Sequence, residues 1–91
     1  SAIVVDKKGK LQGIFTDGDL RRHLASDKDL TSRLINDVMT KNPTVVDKDM
    51  LAAEAMRILQ AKKIDEVPVV DRFRRPVGLL DVQDLLKAGL I

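Results

Sequence analysis

Apolar residues along this chain gather in short clusters separated by charged stretches. AIVVD (2–6) and VPVVD (67–71) are brief, β-branched and apolar, and both read as buried strands. KKGK and RFRR follow them as polar, highly charged turns. LQGIF and PVGLL then supply a second strand in each case, joined to the first as a hairpin. Pro76 has no N–H for a ladder, so it belongs at a strand's start or edge. A helix is expected next: DLRRHLA in one case and VQDLLKAG in the other, with Gly89 placed as a C-terminal glycine.

These two stretches are copies of each other. AIVVDKKGKLQGIFTDGDLRRHL (2–24) aligns without gaps on VPVVDRFRRPVGLLDVQDLLKAG (67–89), at an offset of 65 from Ala2 to Val67. Val4/Val69, Val5/Val70, Asp6/Asp71, Gly13/Gly78, Asp19/Asp84 and Leu20/Leu85 are identical. Ile14/Leu79 and Arg22/Lys87 are conservative. A period of this length marks two copies of one supersecondary unit.

The segment TVVDKDMLAAEAMRILQAKKIDE lies before the second hairpin. TVV is a strand expected after the turn signal Asn42-Pro43. Asp47 and Asp49 are expected to cap the following helix. Leu51, Ala55, Ile58 and Leu59 share a face of that helix at i, i+4, i+7 and i+8, with Arg57 and Lys62 off the stripe. One complete unit is therefore β-α-β-β-α, from about Asp37 to Gly89. The same offset would start the first unit near position −28, so its opening strand and long helix are expected to be missing here. A truncated unit leaves apolar surface uncovered, which predicts dimerisation or additional residues.

Composition narrows the function. Net charge is +2, too balanced to point to nucleic acid. Two Phe with no Tyr or Trp offer few platforms for base stacking. The absence of Cys excludes thiol catalysis, disulfides and zinc–thiolate sites. The apolar runs are too short to span a bilayer, and SAIVVDKKGK is unlike a signal peptide, so the expected location is cytoplasmic.

The chemistry concentrates in GIFTDGDL (13–20). Asp17-Gly18-Asp19 is a poor calcium loop, because no Glu closes it at the required spacing. No nucleophile with a base and an orienting group accompanies it, and His23, the sole histidine, suits a structural role. Thr16-x-x-Asp19 has the spacing of a capping box, with Thr16 as N-cap. The same geometry suits a ligand: helix N–H groups and a Thr hydroxyl for a phosphate, and a carboxylate for ribose hydroxyls. Arg21 and Arg22 follow; either could reach a phosphate or a carboxylate, or simply lie in solvent. In the second copy Thr16 becomes Asp81, giving Asp81-Val82-Gln83-Asp84. Asp81 can cap a helix, but its charge opposes a phosphate.

The repeated unit, the KIDEVPVVD strand and the glycine-led strand entering an acidic helix resemble a tandem CBS domain pair. GIFTDGDLRRHL and the end DVQDLLKAGLI resemble more narrowly the C-terminal CBS pair of bacterial D-arabinose 5-phosphate isomerases. The resemblance implies an α/β (α+β) fold. Residues 1–30 would be the C-terminal part of a first CBS motif, 31–42 a linker, and 43–91 a second, complete motif. It implies Thr16 and Asp19, with Asp84, as ligand-binding residues. It also implies that Thr44-Val45, Val67-Pro68 and Ala2-Ile3 line a base; taken singly, each is more simply strand core.

The family places a sugar-isomerase (SIS) domain before the CBS pair and interconverts ribulose 5-phosphate and arabinose 5-phosphate on the route to Kdo and lipopolysaccharide. The implied partners are a nucleotide (AMP, ATP or CMP-Kdo), the SIS domain of the parent chain, and a second CBS pair in a dimer within a tetramer. No catalytic residue and no metal are implied for these 91 residues. A purely structural, oligomerising role is the alternative, as is a CBS pair from another host such as a transporter or a dehydrogenase.

Overall fold

A computed structural model describes residues 1–26 and 29–89. The chain divides into two compact units, Ser1–Pro43 and Thr44–Ile91. Each has a three-stranded sheet.

In the first unit, β1 (Ala2–Val5) and β2 (Leu11–Phe15) form an antiparallel hairpin, and α1 (Asp17–Ser26) follows directly. A 3₁₀ turn at Leu30–Ser32 and a short helix, α2 (Ile35–Val38), lead to β3 (Thr40–Lys41). β3 pairs antiparallel with β2, matching Gly13 with Lys41 and Ile14 with Thr40. The stretch read as a linker thus contributes the third strand of this sheet. Met39, just before β3, is buried, and a Cβ on Gly13 would fall 2.5 Å from its sulfur and 2.8 Å from the Thr40 carbonyl oxygen. Glycine is required at 13 because the neighbouring strand passes directly over it.

The second unit opens with β4 (Val46–Asp47), parallel to β5 (Glu66–Val70), which pairs antiparallel with β6 (Pro76–Asp81). α3 (Ala52–Lys62) joins β4 to β5, and α4 (Val82–Lys87) follows β6. The core holds Val46, Ala55, Leu59, Val67 and Leu85, with Ile58, Met56 and Leu80 packed against it. Most of the expected apolar stripe of α3 therefore points inward. Leu51 does not: it stands at the N-cap position and is exposed.

Two expectations fail in this unit. TVV was expected to be strand, but β4 begins only at Val46, leaving Thr44 and Val45 before it. Asp47 and Asp49 do not cap α3, which starts at Ala52 without a side-chain cap. The physical reason is a local turn. The Asp49 N–H donates to the Asp47 carboxylate at 2.9 Å, and the Met50 N–H to the Asp47 carbonyl at 3.0 Å. The acid spends its acceptor on this turn before the helix begins.

The repeat persists to individual hydrogen bonds. Ala2 faces Phe15 and Val67 faces Leu80; both hairpins shift register after Val4 and Val69 respectively. In each turn one Asp carboxylate oxygen accepts two backbone N–H groups: Lys8 and Lys10 at 2.8 and 3.0 Å on Asp6, Phe73 and Arg75 at 2.8 and 2.9 Å on Asp71. These bonds, Lys10's first on Asp6 and Arg75's first on Asp71, outweigh desolvation and hold both carboxyls below the usual aspartate range. Gly89 has φ of 74° just beyond α4, as expected of a helix-terminating glycine.

Candidate functional site

α1 starts where β2 ends, so Thr16 becomes its N-cap and Asp19 its third residue. The two residues bond reciprocally. The Asp19 N–H donates to Thr16 Oγ1 at 3.1 Å, and the Thr16 N–H donates to Asp19 Oδ2 at 2.9 Å. The Thr16 hydroxyl also donates to Oδ2, at 3.1 Å. This is the capping box expected from the spacing.

Two further groups close the other carboxylate oxygen. Thr40 Oγ1, on β3, donates to Asp19 Oδ1 at 3.0 Å, and the Arg22 guanidinium pairs with the same oxygen. Asp19 is only 3% exposed, the one charged residue among the buried described residues. Burial alone would raise its pKa. The Thr16 N–H, the hydroxyls of Thr40 and Thr16, and the Arg22 charge together reverse that and lower it. Of the two arginines that follow the motif, Arg21 is exposed, whereas Arg22 meets the acid.

Ala2 and Thr16 come together in a shallow cleft of about 200 Å³, also walled by Ser1, Phe15, Asp17 and Leu20. Most small-molecule pockets are larger, about 300–1,000 Å³. Ile3 is half-buried and is not one of its walls.

The second copy keeps the cap and loses the closure. Asp81 N–H donates to Asp84 Oδ2 at 3.2 Å, and Gln83 N–H donates to Asp81 Oδ1 at 2.7 Å, again a capping box. Asp84 itself is exposed and Asp81 half-buried. Val67 and Pro68 are fully buried, so their side chains serve the core of the second unit as it stands. Thr44 and Val45 are half-buried.

Sequence reasoning missed Thr40. It lies 21 residues from its partner, and a two-residue strand carries no periodicity that could announce it. Among the described residues, no helix is long and apolar enough to cross a membrane.

Two mixed hairpin–helix units, each with an acid at the third position of the helix that follows its hairpin, define the class. The chain belongs to the CBS domain family, which matches residues 1–26 and 35–91. It is 48% identical over 89 residues to the arabinose 5-phosphate isomerase KdsD of Pseudomonas aeruginosa, covering 98% of this chain and 27% of that protein. The chain thus spans about a quarter of the length of that curated relative. It also resembles the CBS domain pair of protein MJ0100, solved with 5′-methylthioadenosine and S-adenosyl-L-methionine. That match has a TM-score of 0.85 and 32% identity, over 96% of this chain and 67% of that one. CBSX2, solved with AMP, matches with a TM-score of 0.82 and 29% identity, over 97% and 69% of the two chains.

Proposed function

We propose that this chain is the regulatory CBS pair of an arabinose 5-phosphate isomerase and that it binds a nucleotide to bias the isomerase. The parent enzyme would interconvert ribulose 5-phosphate and arabinose 5-phosphate in the cytoplasm, on the route to Kdo and lipopolysaccharide, with catalysis in a SIS domain. The observation that carries the ligand reading is the Thr16–Asp19 pair at a helix start, in a chain whose structural relative CBSX2 is solved with AMP. A carboxylate there accepts ribose hydroxyls, and the threonine hydroxyl and helix N–H groups suit a phosphate. The ligands to test are AMP, ATP and CMP-Kdo; the last brings a ribose and a carboxylate for an arginine. A carboxylate at Asp81 opposes a phosphate, so the second copy favours an uncharged or cationic nucleoside.

Regulation requires unequal ligand affinity for two states of the enzyme. Calorimetry on the full-length protein tests this: saturable heat with one of the three nucleotides supports a sensor, and none with any of them rejects it.

A second reading is structural, a CBS pair that dimerises to organise a tetramer. It is favoured by apolar side chains left in solvent on the second sheet, Val77 at 57% and Leu79 at 37% exposure. Light scattering separates the two. Under the structural reading, Val77→Asp weakens assembly and no nucleotide alters activity. Under the sensor reading, nucleotide response survives that change.

A further inference from the structure

Asp19 is too well satisfied to be a waiting ligand site. A carboxylate has about four lone-pair positions. Thr16 N–H, Thr16 Oγ1, Thr40 Oγ1 and Arg22 fill them in the described structure. The four donors are not equivalent. The two from Thr16 hold Oδ2 and belong to the helix cap itself. The two on Oδ1 come from elsewhere: Arg22, whose side chain is 70% exposed, and Thr40 on a two-residue strand. A ligand hydroxyl can take Oδ1 without unwinding α1, and to do so it must displace Arg22 and Thr40.

The displacement has a consequence because Thr40 belongs to the segment that leads out of the first unit. Beside the pairing of Thr40 and Lys41 with Ile14 and Gly13 on β2, that segment is held to its own unit at a few further points. The Asn42 N–H donates to the Gln12 carbonyl at 3.3 Å, His23 Nε2 lies 3.0 Å from the Val38 carbonyl oxygen, and Met39 packs over Gly13. Thr40 Oγ1 on Asp19 is the fastening that a ligand would contest. Three residues past Lys41, at Thr44, the chain enters the second unit.

We infer that Thr40 and Arg22 form a latch on Asp19, which a ligand hydroxyl opens, so that occupancy of the carboxylate loosens residues 39–42. Thr40 is thereby a positioning residue that tunes ligand affinity and carries its effect to the chain connecting the two units. The inference rests on the nucleotide reading given above. Removing a competing hydroxyl strengthens the ligand by about the worth of one net hydrogen bond, roughly five-fold in affinity.

The test is made on the full-length protein with AMP and ATP as probes. Thr40→Val is expected to bind the responsive nucleotide about five-fold more tightly, Arg22→Gln also more tightly, and Thr40→Ser to return to the wild-type affinity. Hydrogen exchange at 39–42 in the wild type is expected to quicken when nucleotide is added. If nucleotide binds but Thr40→Val leaves affinity unchanged or weaker, and exchange at 39–42 does not rise, the latch is wrong and the nucleotide reading stands. If no variant binds either of these nucleotides or CMP-Kdo, both are wrong. Should Thr40→Val fail to fold, the exchange measurement on wild type decides alone.

Discussion

GIFTDGDL and GLLDVQDL begin with the same glycine and end with the same Asp-Leu pair, yet they live in different surroundings. Asp19 is buried under four donors, whereas Asp84 is exposed and caps its helix. Leu20 is 39% exposed while Leu85 is 3% exposed. Gly13 lies under Met39 and Thr40, while a Cβ on Gly78 would meet nothing within 4 Å. Leu85 is buried because it packs in the core with Ala55 and Leu59 of α3. For the acid and the glycine the cause is the strand that lies along the outer side of β2. β3 lies along β2 and brings Thr40 to the acid, and no described strand lies along the outer side of β6. The sequence of a motif determines its cap, but its neighbours determine what its carboxylate can do.

The largest expected difference comes from removing the two acids. Asp19→Ala strips a buried acceptor from Thr16, Thr40 and Arg22 and is expected to destabilise by about 3 kcal/mol. The mostly exposed Arg22 adds little to that figure. Asp84→Ala loses one bond at an exposed cap and should cost about 0.5 to 1 kcal/mol. Denaturant melts of both variants check this, and equal losses would mean that the closure of Asp19 is energetically empty.

Acid sharpens the same contrast. The folded-state pKa of Asp19 is lowered from 3.8, so its contribution is complete well above that value and is lost as pH falls through and below it. Asp19→Asn is expected to flatten the acid limb of the stability curve below the ordinary aspartate range relative to wild type. Asp6 and Asp71 titrate in both proteins and cancel in the comparison.

Next in size is glycine. Gly13→Val drives a side chain into Met39 and the Thr40 carbonyl and should cost about 1–3 kcal/mol. Gly78→Val meets open space and should fall within about 0.5 kcal/mol of wild type. Thermal melts decide it. A large penalty at 78 in a longer chain would reveal that another segment covers β6 there.

How much of this was legible follows the same division between local and distant. Both hairpins and the Thr16–Asp19 cap were readable because their determinants lie within a few residues: β-branched runs, an Asp opening each turn, a capping spacing. The inward stripe of α3 was readable from Ala55, Ile58 and Leu59. Its start was not, because Asp47 satisfies Asp49 rather than the helix. The pairing of β3 with β2 was not, because Thr40-Lys41 is too short to show a pattern. Val67 and Pro68, named as ligand contacts from the family resemblance, also fit the plain reading of a β-branched run, and the structure buries their side chains.

The smallest effect tests how far the hairpins are truly equivalent. Gly9 and Arg74 occupy the same turn position, with φ of 81° and 63°. An L-residue in this left-handed region is strained by about 1–2 kcal/mol, whereas glycine is not. Arg74 tolerates it because Asp71 ties the turn through Phe73 and Arg75, and because the Arg72 and Arg75 guanidiniums lie 4.7 and 5.1 Å from the exposed Phe73 ring. Arg74→Gly relieves the strain but adds freedom to the unfolded chain, so a gain of only about 0.5 kcal/mol is expected. Gly9→Ala introduces the strain into a turn that lacks the aromatic stack and should lose about 1 kcal/mol. If Gly9→Ala proved neutral, the Asp6 carboxylate with its two backbone bonds would suffice to hold the turn. The arginine–phenylalanine stack would then have no part in keeping Arg74 left-handed.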